Sequence, residues 1–170
     1  MKTFHNDPAI KQKYIDRVKQ HMEADELVRG ATGKNGKGCA VWCTLDKYEH
    51  SAYESEIGLP EWIAHLEDAL FERMNIEKSK TFPLIFLESI PVGIDNDVFD
   101  KKVKSPFLIY VLESLHGNFD EDEFPNVKQC IDDVIALHKR DDATDDEWLA
   151  AWSAARSAAK SAAWSAESAE

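Results

Sequence analysis

The stretch from Arg29 to Tyr53, RGATGKNGKGCAVWCTLDKYEHSAY, concentrates the residues whose types and spacing could do chemistry. It holds four of the seven glycines (Gly30, Gly33, Gly36, Gly38) and three neighbouring cations, Arg29, Lys34 and Lys37. No acidic residue occurs between Glu26 and Asp46, although the chain carries 32 Asp and Glu and a net charge of -12. A glycine-rich cationic loop running into a helix start is an anion-binding arrangement, because free backbone N–H groups and the positive end of the helix dipole point the same way. The expected ligand is small and phosphate-bearing, such as a nucleotide. Arg29, Lys34, Gly36, Lys37 and Gly38 would edge the pocket, and Trp42, His50 and Tyr53 would add stacking or polar contacts. The same composition also fits a flexible surface turn.

More specific chemistries fail on spacing. The loop is not a P-loop, since five residues separate Gly30 from Gly36, and Lys37 is followed by Gly38 rather than Ser or Thr. Cys39 and Cys43 stand four apart and share a helix face, where His50 or His65 would complete a zinc site. The spacing is unlike C-x2-C and no second pair exists, so burial as small apolar residues is the reading and no metal is expected. A cysteine nucleophile would need a histidine base beside Cys39 or Cys43. The six histidines are scattered, and no catalytic residue is assigned. The run Asp95–Asp100 lacks the sixth-position glycine and the distal glutamate of a calcium loop. The reading is a non-enzymatic binding protein without a cofactor. The alternative is an acidic inhibitor or interaction module, whose loop Asp120–Glu123 engages a basic partner protein.

The elements that must position these residues read as helices. Asp7 caps a first helix with Pro8 at its first position, extending to about Val28. Its apolar stripe is Ile10, Tyr14, Val18 and Met22. The run from Cys39 to Leu45 reads as a short helix. Asp46 to Glu49 resembles a capping box, opening a helix that ends by Gly58. Pro60 begins another, facing Trp62, Ile63, Leu66, Leu70 and Met74 inward. Phe82 to Ile90 follows, then a loop over 91–104. Ser105-Pro106 opens a helix that ends at Gly117, and a further helix starts near Pro125. Thr144 to Glu147 is a full capping box for the last helix.

From Trp148 the chain repeats every four residues: WLAA, WSAA, RSAA, KSAA, WSAE. Four residues turn an α-helix by about 400°, so the alanine stripe drifts about 40° per repeat. One long helix is expected, with Trp148, Trp152 and Trp164 as its large anchors. The class is all-α: an irregular single-domain bundle of seven or eight helices, divided into a helical body over 1–143 and the Ala/Ser-rich helix over 144–170.

The segments GKGCAVWCT (Gly36 to Thr44), HSAYESEIGLP (His50 to Pro60), LEDALFE (Leu66 to Glu72), IPVG (Ile90 to Gly93) and the SAA tail are similar to those of a family of uncharacterised bacterial and prophage-borne proteins. That resemblance spans most of the chain and brings no established activity, so no catalytic residue follows from it. Its prophage association implies a role in phage–host conflict, such as anti-defence. The charge of -12 disfavours direct nucleic-acid binding. No apolar run is long enough for a membrane, and no secretory signal is visible, so a cytoplasmic location is expected. The exposed alanine-rich helix could pair with its own copy, giving a homo-oligomer.

Overall fold

The computed structural model describes residues 1–167, with side chains to Trp164. Among these it is all-α, with nine α-helical segments and no sheet. In order they are α1 (Pro8–Glu23), α2 (Ala40–Leu45), α3 (Glu61–Arg73), α4 (Ile76–Ser79), α5 (Phe82–Ser89), α6 (Asn96–Phe99), α7 (Ser105–Glu113), α8 (Pro125–His138) and the long α9 (Asp145–Glu167). The last three residues of the expected tail helix, 168–170, lie outside the described residues. Contacts gather the chain into two compact units, residues 1–98 and 99–170. No helix of the described residues is long and apolar enough to cross a membrane.

In the first unit, Asp7 accepts from Ala9 N–H at 2.8 Å, with Pro8 at the first helical position. Tyr14 and Val18 of the expected stripe are buried, together with Ile15, against α2 and α5. The helix stops at Glu23 rather than Val28. Asp25 turns left-handed (φ 53°), and residues 26–28 instead clasp the far end of the glycine loop. Val28 N–H donates to Gly38 O at 2.8 Å, and Gly38 N–H to Glu26 O at 3.0 Å. Backbone groups that a longer helix would have satisfied internally thus find partners across the loop.

Asp46 does not open a helix. It closes α2 in the left-handed conformation (φ 58°), its N–H bonded to Trp42 O at 2.7 Å. Its carboxylate pairs with Arg17 and His21 of α1, both at 3.1 Å. Two long-range side-chain contacts, one of them an ion pair with Arg17, outweigh the local capping preference. Only Tyr53–Ile57 of the expected helix is helical, as one π-turn ended by Gly58. Gly58 is required there: its φ is 71°, and a Cβ would stand 2.5 Å from Lys2 O. Residues 91–104 are not wholly loop either. They contain α6 and a π-turn, Asp100–Lys104, that runs unbroken into α7, so Ser105 is already helical rather than a cap.

In the second unit, α8 packs between α7 and α9 and buries Ile131, Ile135 and Leu137. The capping box at Thr144 is formed. Glu147 N–H donates to Thr144 Oγ1 at 3.3 Å, and Thr144 N–H to Glu147 Oε2 at 2.8 Å. The α9 residues turned inward are Ala151, Ala155, Ala158 and Ala162. Their spacing alternates four and three, which tracks a 3.6-residue turn. The four-residue repeat survives because it offers two adjacent alanines. The inward position passes from the second of each pair to the first as the stripe drifts.

The acidic run is partly committed. Asp120 Oδ1 accepts from the N–H groups of Asp122 and Glu123, and Glu121 pairs with His116 at 2.9 Å and Lys128 at 3.0 Å.

Candidate functional site

The glycine loop is shaped by Trp42. A Cβ on Gly33 would lie 2.0 Å from the indole Nε1, and one on Gly38 2.5 Å from the same side chain. The glycines therefore let backbone close over a half-buried indole; Gly33 also needs a φ of 95°. The ring of His21 tilts against Trp42 at 5.0 Å, and His21 is itself clamped by Glu26 at 2.6 Å. Trp42 is thus a foundation for the loop. Gly36 and the side chains of Lys34 and Lys37 are exposed, and among the described residues neither lysine makes an ion pair.

The stretch free of acids in sequence is lined by acids in space. Gly30 N–H lies 2.9 Å from both Glu72 carboxylate oxygens, and Arg29 is spent on Met74 O at 2.6 Å. The helix beyond the loop, α2, has six residues and starts directly after Cys39. Its first turn faces a thiol and carboxylates. The ligand atoms of Cys39, Asp68 and Glu72 all lie within 4.8 Å of one another.

This cluster is assembled by three elements. Cys39 is the residue before α2. Asp68 and Glu72 stand four apart on α3, hence on one face. The segment between them delivers Tyr48 and His50, both onto Asp68 Oδ2: the Tyr48 hydroxyl donates at 2.9 Å, and His50 Nε2 lies at 3.1 Å. His50 stacks on His65 at 4.2 Å with the rings 9° apart. Asp68 Oδ1 is buried and has no hydrogen-bond partner. Beside Asp68, Glu67 is fully buried and accepts from the Tyr53 hydroxyl. Its other oxygen, Oε1, also lacks a partner.

Burial governs the protons here. It pushes the Glu67 carboxyl up to about 8, the Tyr53 bond opposing and the Asp68 charge adding. Burial also pushes the Cys39 thiol up to about 12, with Asp68 contributing. Cys43 is raised by burial as well; its thiol donates to Gly38 O at 3.5 Å and, among the described residues, belongs to no ligand cluster. The hydroxyl of Tyr48 rises to about 12, chiefly through its bond to Asp68.

Of the residues singled out in sequence, His50 reaches this cluster through Asp68, and Tyr53 reaches Glu67 beside it. Trp42 lies under the loop, Arg29 ties down a backbone carbonyl, and Lys34, Gly36 and Lys37 form an outer turn. Among the described residues, no bond or ring contact links either lysine to His50 or Tyr53. Sequence reasoning missed Glu67, Asp68 and Glu72. The available signal was Glu67 between Ile63 and Phe71, an acid in an apolar stripe. No family model, no curated protein and no solved structure matches the chain.

Proposed function

We propose that residues 1–98 form a binding module for a divalent cation of borderline softness, zinc in class, held by Cys39, Asp68 and Glu72. The observation that supports it is the convergence of one thiol and two carboxylates within 4.8 Å, with a buried carboxylate oxygen left without a partner. A sulfur donor selects against magnesium and calcium, which take oxygen ligands. Three protein ligands leave a fourth tetrahedral position for a small molecule or water. His50 and Tyr48 would orient the Asp68 carboxylate from behind, as outer partners do in metal sites. The cation supplies the charge that converts the Cys39 thiol to thiolate, so binding releases a proton and strengthens with pH.

Equilibrium dialysis against zinc, read by elemental analysis, tests this reading. One equivalent should be retained by the parent protein, and Cys39→Ser and Asp68→Asn should lose it while keeping their helical circular dichroism. Failure of the folded parent to retain zinc, cobalt or iron would leave the cluster as a hydrogen-bonded latch between α3 and the glycine loop.

A phosphate-bearing ligand at the outer turn is the second reading. It is favoured by the exposed and, among the described residues, unpaired Lys34 and Lys37. Calorimetric titration with nucleotides tests it: binding should vanish in a Lys34→Ala, Lys37→Ala variant.

A further inference from the structure

We propose that two copies of this chain pair through one exposed flank of α9, running antiparallel. One residue on from the inward alanines, about 100° around the helix, runs the stripe Asp145, Leu149, Trp152, Arg156, Ala159 and Ala163, spaced four and three alternately, and all six are exposed. Leu149 is 64% and Trp152 58% exposed, large apolar areas for one narrow face. The guanidinium of Arg156 lies over the Trp152 ring at 4.8 Å, so indole and cation form one block.

Charge chooses the occupant. Asp145 stands one layer before the apolar pair and Arg156 one layer after it. Alternate four- and three-residue spacing is the seam of two helices packed side by side. In an antiparallel alignment that sets Leu149 opposite the second copy's Trp152, each Asp145 meets the second copy's Arg156. Two apolar layers then lie between two ion pairs about 16 Å apart. A parallel alignment would instead set Asp145 against Asp145 and Arg156 against Arg156. The pattern is self-complementary under a two-fold axis, as an isologous interface requires. The contact is short, which places it among weak, concentration-dependent dimers.

Sedimentation equilibrium of the full chain at low salt, over the micromolar range, is the test. A reversible monomer–dimer equilibrium is expected, and Trp152→Ser should weaken it at least about tenfold. Asp145→Arg and Arg156→Asp, each alone, should weaken self-association by roughly tenfold, since each sets like charges together in both pairs. An equimolar mixture of those two variants should associate as tightly as the parent, because every facing pair is again opposite in sign. The doubly swapped single chain should do the same. A parent that stays monomeric, a dimer indifferent to Trp152→Ser or to both charge reversals, or a mixture no tighter than its components would each overturn the proposal. Circular dichroism of every variant separates loss of pairing from loss of α9.

Discussion

Replacing Glu67 with Gln removes one ionisation from the centre of the first unit while keeping the acceptor for the Tyr53 hydroxyl. In the unfolded chain this carboxyl titrates at its ordinary 4.5; in the folded protein burial raises it to about 8. Below the lower value both states hold the proton, and the group leaves stability unchanged. As pH climbs through the interval the unfolded chain gives up its proton first, so the folded state is progressively disfavoured; above about 8 the whole difference is felt. At about 1.4 kcal/mol per unit, the loss comes to roughly 5 kcal/mol. Glu67→Gln should abolish it. The variant should be within about 1 kcal/mol of the parent at pH 5, since the atom in the Oε1 position lacks a partner either way. It should then become the more stable protein by several kcal/mol at pH 9. Urea unfolding at unit pH steps, followed by circular dichroism, measures the difference. A stability difference between the two proteins that stays flat from pH 5 to 9 would refute the reasoning, because it would mean Glu67 is ionised, and solvated or paired, throughout.

Other expectations concern packing and reactivity. Gly38→Ala places a methyl 2.5 Å from the Trp42 side chain and should cost about 1–3 kcal/mol in chemical denaturation. A Trp42→Leu background should recover much of that cost, a coupling that a double-mutant cycle reads directly. Thr144→Ala removes both the capping hydroxyl and its link to Glu147, and should lower stability by about 1 kcal/mol with fraying confined to the start of α9. Ala158→Leu should destabilise by about 1–3 kcal/mol, whereas Ala163→Leu on the exposed face should change stability by under about 0.5 kcal/mol in the same assay. At pH 7.5 the Cys39 and Cys43 thiols, buried and held protonated, should react with a thiol-specific disulfide far more slowly than Cys130.

What could be read from sequence was what local chemistry decides. Asp7 with Pro8, Pro125, and Thr144 with Glu147 satisfy helix ends using residues within one turn, so their types and spacing are enough. Asp46 looked the same and was not, because Arg17 and His21 compete for its carboxylate from another helix. The short α6 lies below the length at which any periodicity shows, so it read as loop. The glycines followed the same rule at the candidate site. Their abundance was visible, but the indole that demands them approaches only in the folded chain. Cys39, Asp68 and Glu72 span more than thirty residues, and nothing in their spacing announces that they converge.

The paired alanines of α9 make its length editable. Inserting or deleting one four-residue unit rotates everything beyond it by about 40°, well within the ~100° arc that two neighbouring methyls cover. Slippage of the coding repeat would then lengthen or shorten this rod by about 6 Å while α8 still met a methyl at each turn. Reach could change by whole steps with the cap and the rest of the unit untouched.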